Sequence, residues 1–261
     1  MIKVKDIVKL IETAAPRELA EDWDNPGLAV GDENMEVKAV LTALDCDMNV
    51  VLEAEKKGCN MIVTHHPLLF HPLSFVTTDS EVGRVVLALA ERKIALFSAH
   101  TNLDCAKDGT NDFLCEKLGL GGVEICKSIG EGNLVRIGIT AKKTFGEFAA
   151  ELAACFGKKY IRCVGDKNKI IEKVGICSGG GGEYIPEAAG LCDVYVTGDV
   201  KYHAARSAKE AGLCLAVLEH YESEICVNEI FARILKGIEV PVISSEANTD
   251  VMFDIFLGSE K

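Results

Sequence analysis

The chain has eleven cysteines among 261 residues but no CxxC pair. They stand singly in a chain too large to need disulfide staples, which excludes a small cross-linked scaffold and reads as a protein of the reducing cytoplasm. Basic residues are scarce too. Lys and Arg number 28 against 40 Asp and Glu, a formal net charge of −12. Such a surface repels phosphate backbones, which argues against nucleic acid as a partner. A clean apolar run is also missing. The opening MIKVKDIVKLIETAAP is cut by Lys3, Lys5, Lys9 and Glu12, so it lacks the core of a signal peptide. The longest uncharged run, Gly58 to Thr78, carries Pro67, Pro72 and three histidines, which a bilayer helix would not choose. No membrane span is expected.

What is present suits a globular protein of one large or two small domains, with 48% hydrophobic and 26% charged residues. Val82, Val85, Val86 and Leu89 follow the i, i+3, i+4, i+7 spacing of a helix face, and Phe145, Phe148, Ala149 and Leu152 repeat it. Thr144 and Glu147 add a capping box to the second, and Gly157 a stop. Val227, Ile230, Phe231 and Ile234, closed by Gly237, predict a third helix. Between such segments lie short runs rich in Val, Ile and Leu: VLTALD, NMIVT, IALFSA, LVRIGIT, VGICSG, VYVTG, LCLAVLE and VPVISS. Alternating strands and helices predict an α/β fold with mixed, largely parallel sheets.

A weak internal repeat sharpens this expectation. Asp45 to His65 is 20 residues and Ser178 to Gly198 is also 20, with IALFSAH following the first pair and LCLAVLEH the second. A duplicated βαβαβ unit is one reading; the other is that any two βαβ units look alike in sequence. The stretch from Asn133 to about Glu172 reads strand, helix, strand, strand, which implies antiparallel pairing and a second domain inserted in the middle. The expected division is residues 1–126 with 215–261 in one α/β domain and 127–214 in the other.

The chemistry lies where strands give out. Most of the six histidines follow apolar strands, in MIVTHHP, ALFSAHTNLD and AVLEHYESE. Ligands of open α/β sheets bind beyond the carboxyl ends of the strands, so these segments can converge on one crevice. Neutral imidazole and carboxylate are common ligands of divalent cations. His65 and His66 are adjacent in extended backbone, so they point to opposite sides and suit two ions better than one. Asp104 follows His100 by four residues, and His220 and Glu224 share a helix face at the same spacing. Each element alone is weak, because a His-His pair or an i, i+4 His/Glu pair is commonly a solvated surface feature. Together they favour a site of His65, His66, Asp104, His220 and Glu224. His100 and His203 are candidates for catalytic or ligand-supporting roles, or are simply satisfied histidines. His71 reads as loop structure, and Cys105 as a packed small residue. Gly179 to Gly182 form a strand-to-helix turn without the GK[ST] of a phosphate loop, read first as structural and second as a phosphate cradle.

WDNPGL (Trp23 to Leu28), THHPL (Thr64 to Leu68), SAHTNLD (Ser98 to Asp104), TGDVKYH (Thr197 to His203) and HYESE (His220 to Glu224) occur in this order. Together they resemble the Nif-three-like family, also labelled GTP cyclohydrolase 1 type 2 homologues. The resemblance implies two α/β domains around a metal cleft, a dinuclear divalent-metal centre on the same five residues, and a homohexameric ring. It also implies the short form, without the extra inserted domain of some relatives. Asp199 stands where glutamate is more usual in this pattern, keeping the charge but losing reach.

The expected function is a metal-dependent hydrolase acting on a small nucleotide-like or phosphoester substrate. Two divalent ions (Zn, Fe, Mn, Co or Ni) would share a water and lower its pKa from about 15.7 towards neutrality, with His100 or His203 moving the proton. The alternative is a non-catalytic module for metal storage or delivery, or a ring-shaped interaction scaffold.

Overall fold

The computed structural model describes residues 1–129 and 133–253. Helix α1 (Val4–Ala14) leads to β1 (Gly27–Val30), β2 (Val40–Ala43), α2 (Met48–Lys56), β3 (Met61–Thr64), α3 (Glu81–Arg92) and β4 (Ala95–Ser98), then α4 (Thr101–Cys105) and α5 (Thr110–Lys117). Next come β5 (Gly121–Ile125), β6 (Arg136–Thr144), α6 (Phe145–Cys155), β7 (Arg162–Val164) and β8 (Ile170–Cys177). A 3-10 turn at Gly181–Tyr184 and α7 (Ile185–Ala188) lead on to β9 (Val194–Thr197), α8 (Tyr202–Glu210) and β10 (Cys214–Val217). The chain then returns through α9 (His220–Glu224), α10 (Val227–Ile234) and β11 (Val242–Ser244).

Two sheets result, in the orders β1-β4-β3-β2-β11 and β5-β6-β8-β9-β10-β7. In the first, β11, β2, β3 and β4 are parallel and β1 closes the edge antiparallel to β4. In the second, β8, β9 and β10 are parallel, β7 closes the edge antiparallel to β10, and β5, β6 and β8 pair antiparallel. The fold is α/β with mixed, largely parallel sheets. Strands β2-β3-β4 and β8-β9-β10 are the same parallel βαβαβ arrangement, each with an antiparallel strand beyond its last member. The second sheet runs in sequence from Gly121 to Val217.

Alternation along the strands fills two layers per sheet. Val40, Met61, Val63 and Phe97 face α1 and α10, while Leu41, Ile62 and Leu96 face α2 and α3. In the second sheet Val174, Ile176 and Val196 pack on α6, and Tyr195 and Leu215 pack on α7 and α8. Such two-sided burial explains why these strands read as continuous apolar runs. Helix α6 has the expected capping box at Thr144 and Glu147. All eleven cysteines are free thiols, and among the described residues no helix is long and apolar enough to cross a membrane.

Buried polar groups join the two halves beside the site. Arg136 of β6 is 1% exposed; it pairs with Asp112 and donates to the carbonyls of Cys105 and Ala106 at 3.0 Å each. It thereby satisfies acceptors that the end of α4 leaves open. Asn111 of α5 donates to the Asp104 carbonyl at 3.2 Å and accepts from the Ser178 amide at 2.8 Å.

Candidate metal centre

The ends of β3, β4, β8 and β10 meet at one cleft, as the crevice rule for open α/β sheets requires. His65 leaves β3 fully buried, its Nδ1 against the Ala99 carbonyl at 2.9 Å. His66, the next residue, brings its ring into the same cleft, 5.2 Å from that of His65, so the pair does not point to opposite sides as expected; its Nδ1 is held by Asp45 at 2.6 Å. The carbonyl of His66 accepts from the Thr64 hydroxyl at 2.9 Å, which fixes the strand exit. His220 opens α9, with Nδ1 on Asp199 at 2.8 Å, and His100 caps α4, with Nδ1 on Asp24 at 2.8 Å. Every one of these four imidazoles is therefore anchored through Nδ1, as metal-binding histidines commonly are.

Glu224 stands at the centre, 4% exposed. Its Oε2 lies 2.9 Å from His66 Nε2 and 3.0 Å from His220 Nε2, while its Oε1 lies 4.0 Å from His65 Nε2. Asp104 Oδ1 is 3.5 Å from the same His65 nitrogen. Side chains sharing an ion at the usual distance of about 2.0–2.2 Å sit about 3 Å from one another, so these spacings fit cation ligands. His65 Nε2 and Asp104 Oδ1 are buried without a hydrogen-bond partner. A buried unpaired imidazole nitrogen facing a buried unpaired carboxylate oxygen is costly unless something bridges them, which is the strongest local sign that a cation fits. Two groups, His65-His66-His100 and His66-His220-Glu224, each bring candidate ligand atoms within 4.8 Å of one another.

Charge balance follows the same division. Burial holds His65 neutral and lowers its pKa to about 3. Burial also opposes the charged form of His66, but hydrogen bonds to Asp45 and Glu224 win and raise it to about 10. The Glu224 hydrogen bond, outweighing burial, raises His220 to about 9. Burial and the charge of Glu224 push Asp104 upward, whereas His220 and His66 hold Glu224 well below the carboxylate range despite its burial. Asp24, partly buried, is brought down to about 2 by His100 and Thr101.

The backbone is shaped around Glu224. A Cβ on Gly179, at φ +52°, would lie 1.9 Å from Glu224 Oε1, so only glycine permits this approach. The Gly179 amide donates to Ser223 Oγ at 2.9 Å. Its carbonyl accepts from the Gly198 and Asp199 amides at 3.1 and 2.9 Å. Gly180 and Gly181 line a cavity of about 270 Å³ that also reaches Trp23, Phe70, His100 and Glu224. The glycine run thus has a structural duty and also faces the site. Glu219, immediately before His220, is held at φ +71°, a strained conformation for a non-glycine residue and one that clusters at functional sites.

The cleft brings together His65, His66, Asp104, His220 and Glu224, with His100 beside them. His203 does not join them: it lies exposed in the first turn of α8 and belongs to neither ligand-capable group. It follows a strand end in sequence, but the loop Gly198 to Lys201 carries it away. His71 lies exposed beside Phe70, and Cys105 is buried, its thiol pushed up to about 12 by desolvation. The carboxylates Asp24, Asp45 and Asp199, which orient three of the rings, carry no spacing in the sequence that marks them as anchors. Asp45 ends VLTALD, and the other two lie in WDNPGL and TGDVKYH, so their signal was position at a strand end or loop.

The chain is thus a two-sheet α/β protein whose cleft gathers histidines and carboxylates that could hold a metal ion. A family model described as Duf34/NIF3 (NGG1p interacting factor 3) matches residues 2–251, and the chain belongs to that family. A Clostridium perfringens protein named GTP cyclohydrolase 1 type 2 homolog is 40% identical over 97% of this chain and 100% of its own length. The crystal structure of Staphylococcus aureus protein SA1388 matches with a TM-score of 0.89 at 29% identity, covering 97% of this chain and 99% of that one. Reduced HcgD from Methanocaldococcus jannaschii matches with a TM-score of 0.82 at 34% identity, covering 94% and 98%.

Proposed function

We propose that this cleft is a dinuclear divalent-cation centre and that the protein is a metal-dependent hydrolase of a small phosphoester or nucleotide-like substrate. The observation that carries the reading is the double aspect of Glu224, whose Oε1 faces His65 and whose Oε2 faces His66 and His220. His65, Asp104 and Oε1 would hold one ion; His66, His220 and Oε2 would hold the other. When bound, such ions supply Lewis acidity and lower the pKa of a nearby water towards neutrality. The mixed imidazole and carboxylate set suits Zn, Fe, Mn, Co or Ni.

The remaining chemistry belongs to the chain. Asp45 and Asp199 fix the rings of His66 and His220 so that Nε2 faces the cleft. Asp24 does the same for His100, which carries no assigned ion and can hold or pass a proton at its other ring nitrogen. His203 has no part in this reading within one protomer. The name GTP cyclohydrolase 1 type 2 homolog borne by relatives supports a nucleotide-like substrate. Assembly into a homohexameric ring and a cytoplasmic setting belong to the same proposal.

The test is turnover of a nucleotide and phosphoester panel by metal-loaded protein, compared with His66→Ala. Hydrolysis that disappears in the variant while the fold persists supports an enzyme. Tightly held metal with no turnover on any member would favour storage, delivery or scaffolding.

A further inference from the structure

Trp23 is the only tryptophan of the chain and is 55% exposed, with Phe70 beside it at 37%. Large aromatic side chains lying open at the mouth of a cavity, rather than in a core, are a ligand-binding feature. Their rings are 5.9 Å apart at 51°. The ring of His100 stands steeply inclined to both, at 6.1 Å and 74° for Trp23 and at 6.3 Å and 80° for Phe70. The wall they form is held in place. Asn25 Nδ2 donates to the Leu69 carbonyl at 2.6 Å, tying together the two loops that carry the rings. Asp24, next to Trp23, is bound to both His100 and Thr101.

Across the cavity stand Tyr184, Gly180 and Gly181 of the second half, and its floor reaches Asp104 and Glu224. Its volume of about 270 Å³ lies at the small end for ligand pockets, which commonly run about 300–1,000 Å³. Among the described residues no lysine or arginine lines it, while Asp104, Glu183 and Glu224 do. A second cavity of about 540 Å³, on the His66 side, is bordered by Asp45, Asp47, Glu81, Asp199 and Asp250 and, among the described residues, again by no lysine or arginine. Neither mouth offers a polyphosphate tail a lysine or arginine, and the imidazoles His66 and His220 point at the cation positions. An anion entering from the Trp23 side meets compensating charge only where the cations would sit.

We propose that the Trp23-Phe70 wall is the ring-binding subsite of this centre, and that its ligand is a small planar aromatic compound with one anionic head rather than a nucleoside triphosphate. The proposal rests on the cation-centre reading, because the head group is directed at the cations. The ring packs on the aromatic wall with His100 at its edge. The head reaches Asp104 and Glu224 through the ions they hold. Size and charge both act against further phosphates.

The experiment begins with elemental analysis of the loaded protein, since absence of bound metal would overturn the cation reading itself and be recognised as such. The loaded protein is then titrated with 4-nitrophenyl phosphonate, methyl phosphonate and GTP, following both heat and Trp23 fluorescence. The expected result is saturable quenching by 4-nitrophenyl phosphonate, with a Kd at least tenfold below those of the other two compounds. Trp23→Ala should raise that Kd about tenfold by calorimetry and leave metal content unchanged, while Trp23→Phe, which keeps an aromatic face, should retain most of the affinity. With metal present, the proposal is overturned by GTP binding more tightly than the aryl compound. It is equally overturned by methyl phosphonate binding as tightly, or by the absence of quenching.

Discussion

The two halves of the centre are built on the same plan and differ in their exposure to water. After β4 the chain gives His100, Asp104 and the short helix α4; after β10 it gives His220, Glu224 and the short helix α9. In each, an acidic residue follows a histidine by four, and an outside aspartate, Asp24 or Asp199, grips the histidine Nδ1 at 2.8 Å. On the first side His65 and Asp104 are buried and leave unpaired atoms facing each other. On the second, the side chains of His66 and His220 are 25% and 36% exposed and fully paired with carboxylates. The same residue type therefore ends at opposite protonation states, with His65 at about 3 and His66 at about 10. Burial decides the first and carboxylate partners the second.

This contrast can be broken most severely at Glu224, which serves both halves. Glu224→Ala should lose both ions, a fall in affinity beyond the about 10–100-fold typical when only an orienting partner is removed, as read by elemental analysis after dialysis. Single-sided changes should then separate the halves. Asp104→Asn is expected to lose the ion beside His65 alone, and His220→Ala the one beside His66 alone, each leaving a singly loaded protein; loss of both from either variant would show that the halves are not independent.

The orienting aspartates give a smaller effect and a sharper contrast. Asp199→Asn should weaken the second ion about 10–100-fold in metal titrations. Asp24→Asn should leave both affinities nearly unchanged, because His100 carries no assigned ion, and lower turnover instead. The mildest perturbation is pH. Folded-state values near 10 for His66 and 9 for His220 lie above the ordinary 6.5, so their protons stabilise the cation-free protein fully below pH 6.5. That contribution fades as pH rises through 9 to 10. His65 acts in the reverse sense, costing stability as pH falls from 6.5 towards 3. Loading at pH 7 should therefore release about two protons per chain, measurable by calorimetry in buffers of different ionisation enthalpy.

Much of the fold was legible because its parallel strands are buried on both faces. VLTALD, NMIVT and IALFSA are mostly apolar and contain β2, β3 and β4, each buried along its whole length. The edges were not. Strand β5, GGVEI, is exposed along its whole length, and β1, GLAV, is only partly covered, so neither carries a burial pattern to read. At the site the same logic holds. The ligand candidates stand at strand ends, where topology limits what can converge, and sequence order alone exposes them. Asp24, Asp45 and Asp199 are carboxylates among forty, and their pairing with particular rings exists only after folding. His203 shows the converse, since a strand-end position did not suffice once α8 carried the side chain outward.

The most direct measurement is anomalous scattering from crystals of protein purified without chelators. The account predicts two peaks about 3.5–4 Å apart, one touching His65, Asp104 and Glu224 and the other His66, His220 and Glu224. A single peak shared by all five side chains, or none at full metal supply, would contradict it.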